Sequence, residues 1–166
     1  LENQFRIGDV INLDGVGGVV ERITLRVTVL RDLQGTVHYI PNGTLARVSN
    51  LTQGWSRVVL EVSVGYGEDI DRVIVVLRDV LAKLREDPAW ASGVLESEVS
   101  GVESLGESSV DVRVMVKTPP MRQWDVAREL RRRIKMRFDD EGIEIPFPQR
   151  VIHHVQAPSE PDESGP

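Results

Sequence analysis

The sequence predicts an α+β chain: a small β unit, then a ferredoxin-like βαββαβ unit, then a last extended strand. Three observations carry this. Residues 5–50 alternate short apolar runs with Gly, Asn and Asp turn signals. Two later stretches, 70–84 and about 121–141, carry apolar residues at helical spacing. Val110, Val112, Val114 and Val116 alternate with Asp111, Arg113, Met115 and Lys117, the period of a half-buried strand. The 166 residues make one domain or two small ones.

In the first unit, 5–13 is strand-like and Asp14-Gly15 is a turn signal. Val16 to Glu21 follows, with Gly17-Gly18 inside it. Ile23, Leu25, Val27 and Val29 then alternate with Thr24, Arg26, Thr28 and Leu30, which predicts one half-buried strand. A loop over 32–35 leads to the β-rich run 36–40, closed by Pro41-Asn42-Gly43. Proline fixes φ and Asn or Gly accepts positive φ, so that tripeptide is a turn. Short strands with close turns predict a compact barrel or sandwich. Its glycines have a structural explanation, since strands that bend sharply need close backbone approach or positive φ. Gly17-Gly18 lacks the spacing of a phosphate-cradling loop and no helix opens after it.

The second unit opens on the alternating strand Val58, Leu60, Val62, Val64, broken at Gly65 and Gly67. Asp69 is placed to cap a helix whose Val73, Ile74, Leu77, Val80, Leu81 and Leu84 face a core. Pro88 stops it. A looser strand over 94–105, a turn at Gly106 and Ser108, and the valine strand follow. Pro119-Pro120 ends that strand. The second helix buries Ala127, Leu130, Ile134 and Phe138 and stops at Gly142. Residues 143–147 begin a final extended piece. This order is the split βαβ arrangement, with helices on one face of an antiparallel sheet.

Composition narrows the function. With 40% hydrophobic and 28% charged residues, the chain is of ordinary globular type. It has no cysteine, which excludes disulfides, thiolate metal sites and cysteine nucleophiles. Three histidines are too few for a His-rich metal site. The net charge of −6 argues against broad nucleic-acid binding. No run of about 18 apolar residues is present to span a bilayer. The opening at Leu1 suggests a piece of a longer protein. The tail 157–166, with three acids among three prolines, predicts disorder.

The run Phe5-Arg6-Ile7-Gly8-Asp9-Val10-Ile11, with Ile145-Pro146-Phe147-Pro148-Gln149 towards the other end, resembles the small-conductance mechanosensitive channels (the MscS-like family). The resemblance rests on Phe5-Arg6-Ile7-Gly8-Asp9-Val10-Ile11, on Gly18-Val19-Val20-Glu21 with Leu25-Arg26-Val27-Thr28, and on Ile40-Pro41-Asn42-Gly43 with Ser49-Asn50. It continues in Val64-Gly65-Tyr66 before Asp69-Ile70-Asp71-Arg72-Val73. It ends with Phe138-Asp139 through Gly142-Ile143 and Ile145-Pro146-Phe147-Pro148-Gln149. The resemblance covers about residues 5–150. It implies a small Sm/SH3-like β domain at 1–55, a ferredoxin-like α/β domain at 56–149 and a strand at 150–156 donated to a shared barrel. It further implies a homoheptamer in the bacterial inner membrane that opens under tension and releases solutes on osmotic downshock. The β domains would form a ring beneath the membrane, and the α/β domains a cage with side portals. Conduction and tension sensing would lie in transmembrane helices that this chain lacks. Its own share would be assembly and ion filtering, with permeating ions and further copies of itself as partners.

Candidate residues follow. Assembly and structure fall to Gly8, Asp9, Gly17, Gly18, Pro41, Asn42, Gly43, Asn50, Pro146, Phe147, Pro148, Ile152 and Val155. Pro146-Phe147-Pro148 is stiff and aims the last strand away from the second domain. Arg128, Arg131, Arg132 and Lys135 cluster on one helix face. The plain reading is a solvated face paired with acids such as Asp125 and Glu129, and the functional one is an anion-attracting stripe facing permeating ions. His153 and His154 point to opposite faces of a strand, so one ion suits them only if copies converge in a ring. Asp69 with Asp71, or Glu141 with Glu144, lacks the nucleophile, metal cluster or glycine loop that an enzyme needs. No cofactor, metal or catalytic residue is assigned. Asn50-Leu51-Thr52 matches a glycosylation pattern that this cysteine-free chain gives no reason to use. Two other readings stay open: a ferredoxin-like module binding a small regulatory ligand, and a small nucleic-acid-binding barrel, which would need more basic and aromatic residues.

Overall fold

The computed structural model describes residues 4–153. Two antiparallel sheets each have their own core. The first is built from β1 (Val10–Leu13), β2 (Val16–Ile23), β3 (Val27–Arg31), β4 (Val37–Pro41) and β5 (Val48–Asn50), in the order β4-β3-β2-β1-β5. Phe5, Ile11, Leu13, Val20 and Leu30 fill its inside. Its two edges, β4 and β5, have no further strand beside them among the described residues.

The long alternation from Ile23 to Leu30 is two strands, and this corrects the sequence expectation. The chain reverses at Thr24–Arg26: Thr24 N donates to Val27 O at 2.9 Å, and Thr24 Oγ1 accepts from the Val27 amide at 2.9 Å. Leu25 at the tip is fully exposed, while Thr28, Val29 and Leu30 are all buried. A hairpin with a short loop can keep an apolar alternation in step on both sides, so a period of two does not reveal it. The first strand is also shorter than 5–13: Phe5 is a core plug, and the chain turns at Gly8 (φ +95°) before β1 starts.

The second sheet comprises β6 (Ser56–Val64), β7 (Glu96–Leu105) and β8 (Val110–Thr118), in the order β6-β8-β7. Helices α1 (Ile70–Glu86) and α2 (Gln123–Glu141) cover one face. The alternating valines of β6 and β8 point into a core shared with Leu77, Leu84, Leu130 and Phe138. Asp69 caps α1 by accepting from the Asp71 and Arg72 amides at 3.0 and 3.2 Å. Gly142, left-handed at φ +67°, ends α2, and Ile143 N then closes on Phe138 O at 2.9 Å. On α2 the buried stripe is Gln123, Val126, Leu130, Ile134 and Phe138, with Ala127 packed at its margin.

The last strand expected of the βαββαβ pattern does not join this sheet. Ile143 is buried and Gly65 N donates to Glu144 O at 3.2 Å, after which the ladder stops. Pro146 and Pro148 have no N–H to continue it. The segment instead runs to the β7–β8 turn, where Gln149 N meets Ser108 Oγ at 2.9 Å.

Candidate functional site

The sequence-derived residues within the described part of the chain fall at five places. At one end of the first sheet, Asn50 Nδ2 donates to Asp9 Oδ2 at 2.8 Å and to Gln4 O at 3.1 Å. Asn50 Oδ1 accepts from the Thr52 amide at 3.0 Å, and Thr52 Oγ1 accepts from Val10 N at 3.0 Å. Gly8 N reaches Val20 O at 2.9 Å beside them. This network ties the start of β1 to the exit of β5. Thr52 was missed as a partner. Its signal was the Asn50-x-Thr52 spacing, which here serves internal hydrogen bonds.

At the β4 exit, Asn42 Oδ1 accepts from the hydroxyl of fully buried Thr28 at 2.7 Å. Asn42 Nδ2 donates to Thr24 O at 2.8 Å, and its amide to Arg26 O at 2.8 Å. Asn42 therefore pins the hairpin turn that the alternation concealed. Pro41 ends β4, and Asn42–Thr44 form one 3-10 turn. Gly43 has open space around it and no positive φ.

Gly17 and Gly18 sit in β2 with different demands. A Cβ on Gly18 would lie 2.6 Å from Arg31 O, so only glycine allows β3 to pass. A Cβ on Gly17 would meet nothing nearer than Asn12 Nδ2 at 3.6 Å. Gly17 lines an open groove of about 630 Å3 between the first sheet and the start of α2, which Arg128 also borders.

On α2, Arg128 pairs with Asp125, Lys135 with Asp139, and Arg132 with Glu129 at 2.7 Å. Arg131 has no carboxylate in ion-pair reach among the described residues. Arg133, outside the predicted stripe, is half-buried between Glu129 (2.7 Å) and Asp87 and ties α2 to the end of α1. Hydrogen bonds from Arg132, joined by Arg133, hold the Glu129 carboxyl down at about 2. The stripe is thus largely paired with acids.

Of the terminal residues, Pro146 is half-buried, whereas Phe147 and Ile152 are 80% and 73% exposed and form no strand among the described residues. Val155 and His154 lie outside the described residues. Among the described residues no helix is long and apolar enough to cross a membrane.

Comparison with known proteins adds to this geometry. Residues 1–53 match the family model for the β-domain of mechanosensitive ion channels, and residues 58–145 match the model for the C-terminal part of mechanosensitive ion channel MscS. The chain belongs to the MscS family of mechanosensitive ion channels. Among MscS relatives, a small-conductance mechanosensitive channel of Caldanaerobacter subterraneus is 34% identical over 154 residues, covering 91% of this chain and 53% of that protein. The moderate conductance channel YbiO of Escherichia coli is 30% identical, covering 87% of this chain and 20% of that protein. The chain thus spans about half the length of the first relative and less of the second. The closed-state crystal structure of Helicobacter pylori MscS superposes with a TM-score of 0.77 at 26% identity, covering 93% of this chain and 61% of that one. Arabidopsis thaliana MSL1, at 14% identity and a TM-score of 0.62 (87% and 54% covered), shares the fold.

Proposed function

We propose that this chain is the cytoplasmic cage region of a mechanosensitive channel that releases solutes on osmotic downshock. Its part is oligomerisation, as a homoheptamer, and filtering of ions at the cage wall. The observation that carries this reading is the pair of family matches, at 1–53 and 58–145, in channel order along one chain. The domain division follows it: 1–55 a ring-forming β domain, 56–149 a ferredoxin-like cage wall, 150–156 a strand of a shared barrel, and 157–166 an acidic tail. Assembly is supported by the two open edges β4 and β5, because an unpaired edge strand is a template for a neighbour. The exposed Phe147 and Ile152 support a last strand that finds its partners on other copies. For ion filtering, Arg131 is the cation of the stripe without an acid partner among the described residues, so it is the one we assign to permeating anions.

Light scattering after size separation tests the assembly. A particle near seven chains is expected; a stable dimer overturns the cage and favours a ligand-binding regulatory module. In the complete channel, Arg131→Glu should shift permeation toward cations, while Arg128→Gln should change it little. Unchanged reversal potentials for Arg131→Glu remove the filtering role.

A further inference from the structure

The groove between the first sheet and α2 has features that neither core explains. Its walls carry apolar side chains left in solvent: Val19, Leu33, Leu51, Met121 and Trp124. Met121 has a left-handed backbone (φ +72°). Trp124, on the first turn of α2, offers an indole to the opening. At about 630 Å3, and placed between two structural units, the groove has the size and position usual for a small-molecule site.

Its polar groups define the ligand. Four charged residues stand around it, two of each sign, and each has a partner. Arg31 is held by Glu21 and by Gly35 O at 2.8 Å, Asp32 by His38 at 2.9 Å, and Arg128 and Asp125 by each other. No unpaired charge is left to recognise an ion. The neutral donors on its lining, Asn12 Nδ2, Gln34 Nε2 and Trp124 Nε1, have no partner among the described residues, and Asn12 is the one whose amide is held in place. Asn12 Oδ1 accepts the Gly15 amide at 2.8 Å, which turns Nδ2 toward Gly17, and Nδ2 donates to no group among the described residues. Gly17, which neither backbone nor packing requires to be glycine, leaves that donor uncovered.

We propose that this groove binds an uncharged, largely apolar small molecule bearing a hydrogen-bond acceptor, with its body against Trp124 and its acceptor on Asn12 Nδ2. A leucine at position 17 would fill the space beside Asn12 without backbone strain.

Nile red, uncharged and carrying a carbonyl acceptor, is the probe. Titrated against the whole chain, its fluorescence should rise saturably with one site per chain. Gly17→Leu and Trp124→Ala should each weaken binding by about tenfold or more, with the thermal transition kept. Asn12→Ala should weaken it by a smaller factor. Should Gly17→Leu fail to fold, Trp124→Ala reads the same site from the other wall. Unsaturable binding, or affinity unchanged in the folded variants, overturns the proposal. So does binding that disappears when the chains assemble, since a second copy would then cover the groove. Native mass is read separately, so a failed groove leaves the ring reading standing.

Discussion

Single residues in the first sheet divide by what surrounds them. Gly18 and Gly17 are neighbours of the same type, yet a Cβ has no room at one and ample room at the other. Gly18→Ala should therefore destabilise the chain by about 1–3 kcal/mol, the usual cost of overpacking. Gly17→Ala should stay near neutral in the same denaturant melts. Equal effects at both positions would contradict the close approach of β3. Asn42 is a second test. Removing its amide with Asn42→Ala strands the buried Thr28 hydroxyl and should cost about 1–3 kcal/mol. A melt indistinguishable from the parent would mean that this hydrogen bond contributes nothing. The motif Pro41-Asn42-Gly43 was legible as a turn. The target of its asparagine was not, because Thr28 lies on another strand and its pairing depends on the fold.

Along the elements, α2 was legible as a helix from its apolar spacing, and its charges were legible as a run. Which acid each cation meets was legible only in part. Asp125 and Glu129 lie three residues before Arg128 and Arg132, a spacing that sequence reveals. The Arg133–Asp87 contact joins two helices and had no sequence signal. The pairing makes α2 acid-sensitive. Glu129 has a folded pKa of about 2, below its ordinary 4.5, and its side chain is only 11% exposed. Its contribution is therefore present above about 4.5 and is lost as pH falls toward about 2. Glu129→Gln should remove about 1–2 kcal/mol at neutral pH and flatten the stability profile across that acid window. Parallel profiles for parent and variant between pH 5 and pH 2 would refute the role of Glu129 as the anchor. The extended piece that begins at 143–147 adds no ladder strand to the second sheet, because the prolines that mark it as extended also deny it the amides of a ladder.

At the scale of the molecule, the two sheets leave different edges. β7 is broken by register shifts and by Gly101 at φ +115°, which protect an edge from pairing. Among the described residues β4 and β5 each lack a second neighbour, and the exposed Val151 and Ile152 join no strand. Deleting residues 152–156 should lower the native mass or raise the dissociation of the particle on dilution. The same particle with and without those residues would remove the last strand from assembly. Where the two units meet, Gln123 Nε2 donates to Leu51 O at 3.3 Å, and Ser56 Oγ donates to the same carbonyl at 2.8 Å. The groove opens beside that joint.

The sequence by itself determined the order of the second unit's elements through α2, the two helices and their stops, the valine face of the second core and the motifs that mark the family. These are local patterns, set by side-chain period, caps and turn residues that neighbours along the chain decide. Only the tertiary structure decided that Ile23–Leu30 turns back on itself, that Gly18 and not Gly17 must lack a side chain, and that the stripe on α2 is mostly paired. It also decided that Gly17, Asn12 and Trp124 meet across a groove. Each depends on which distant backbone or side chain comes within a few ångströms, and periodicity along one strand holds no information about that distance.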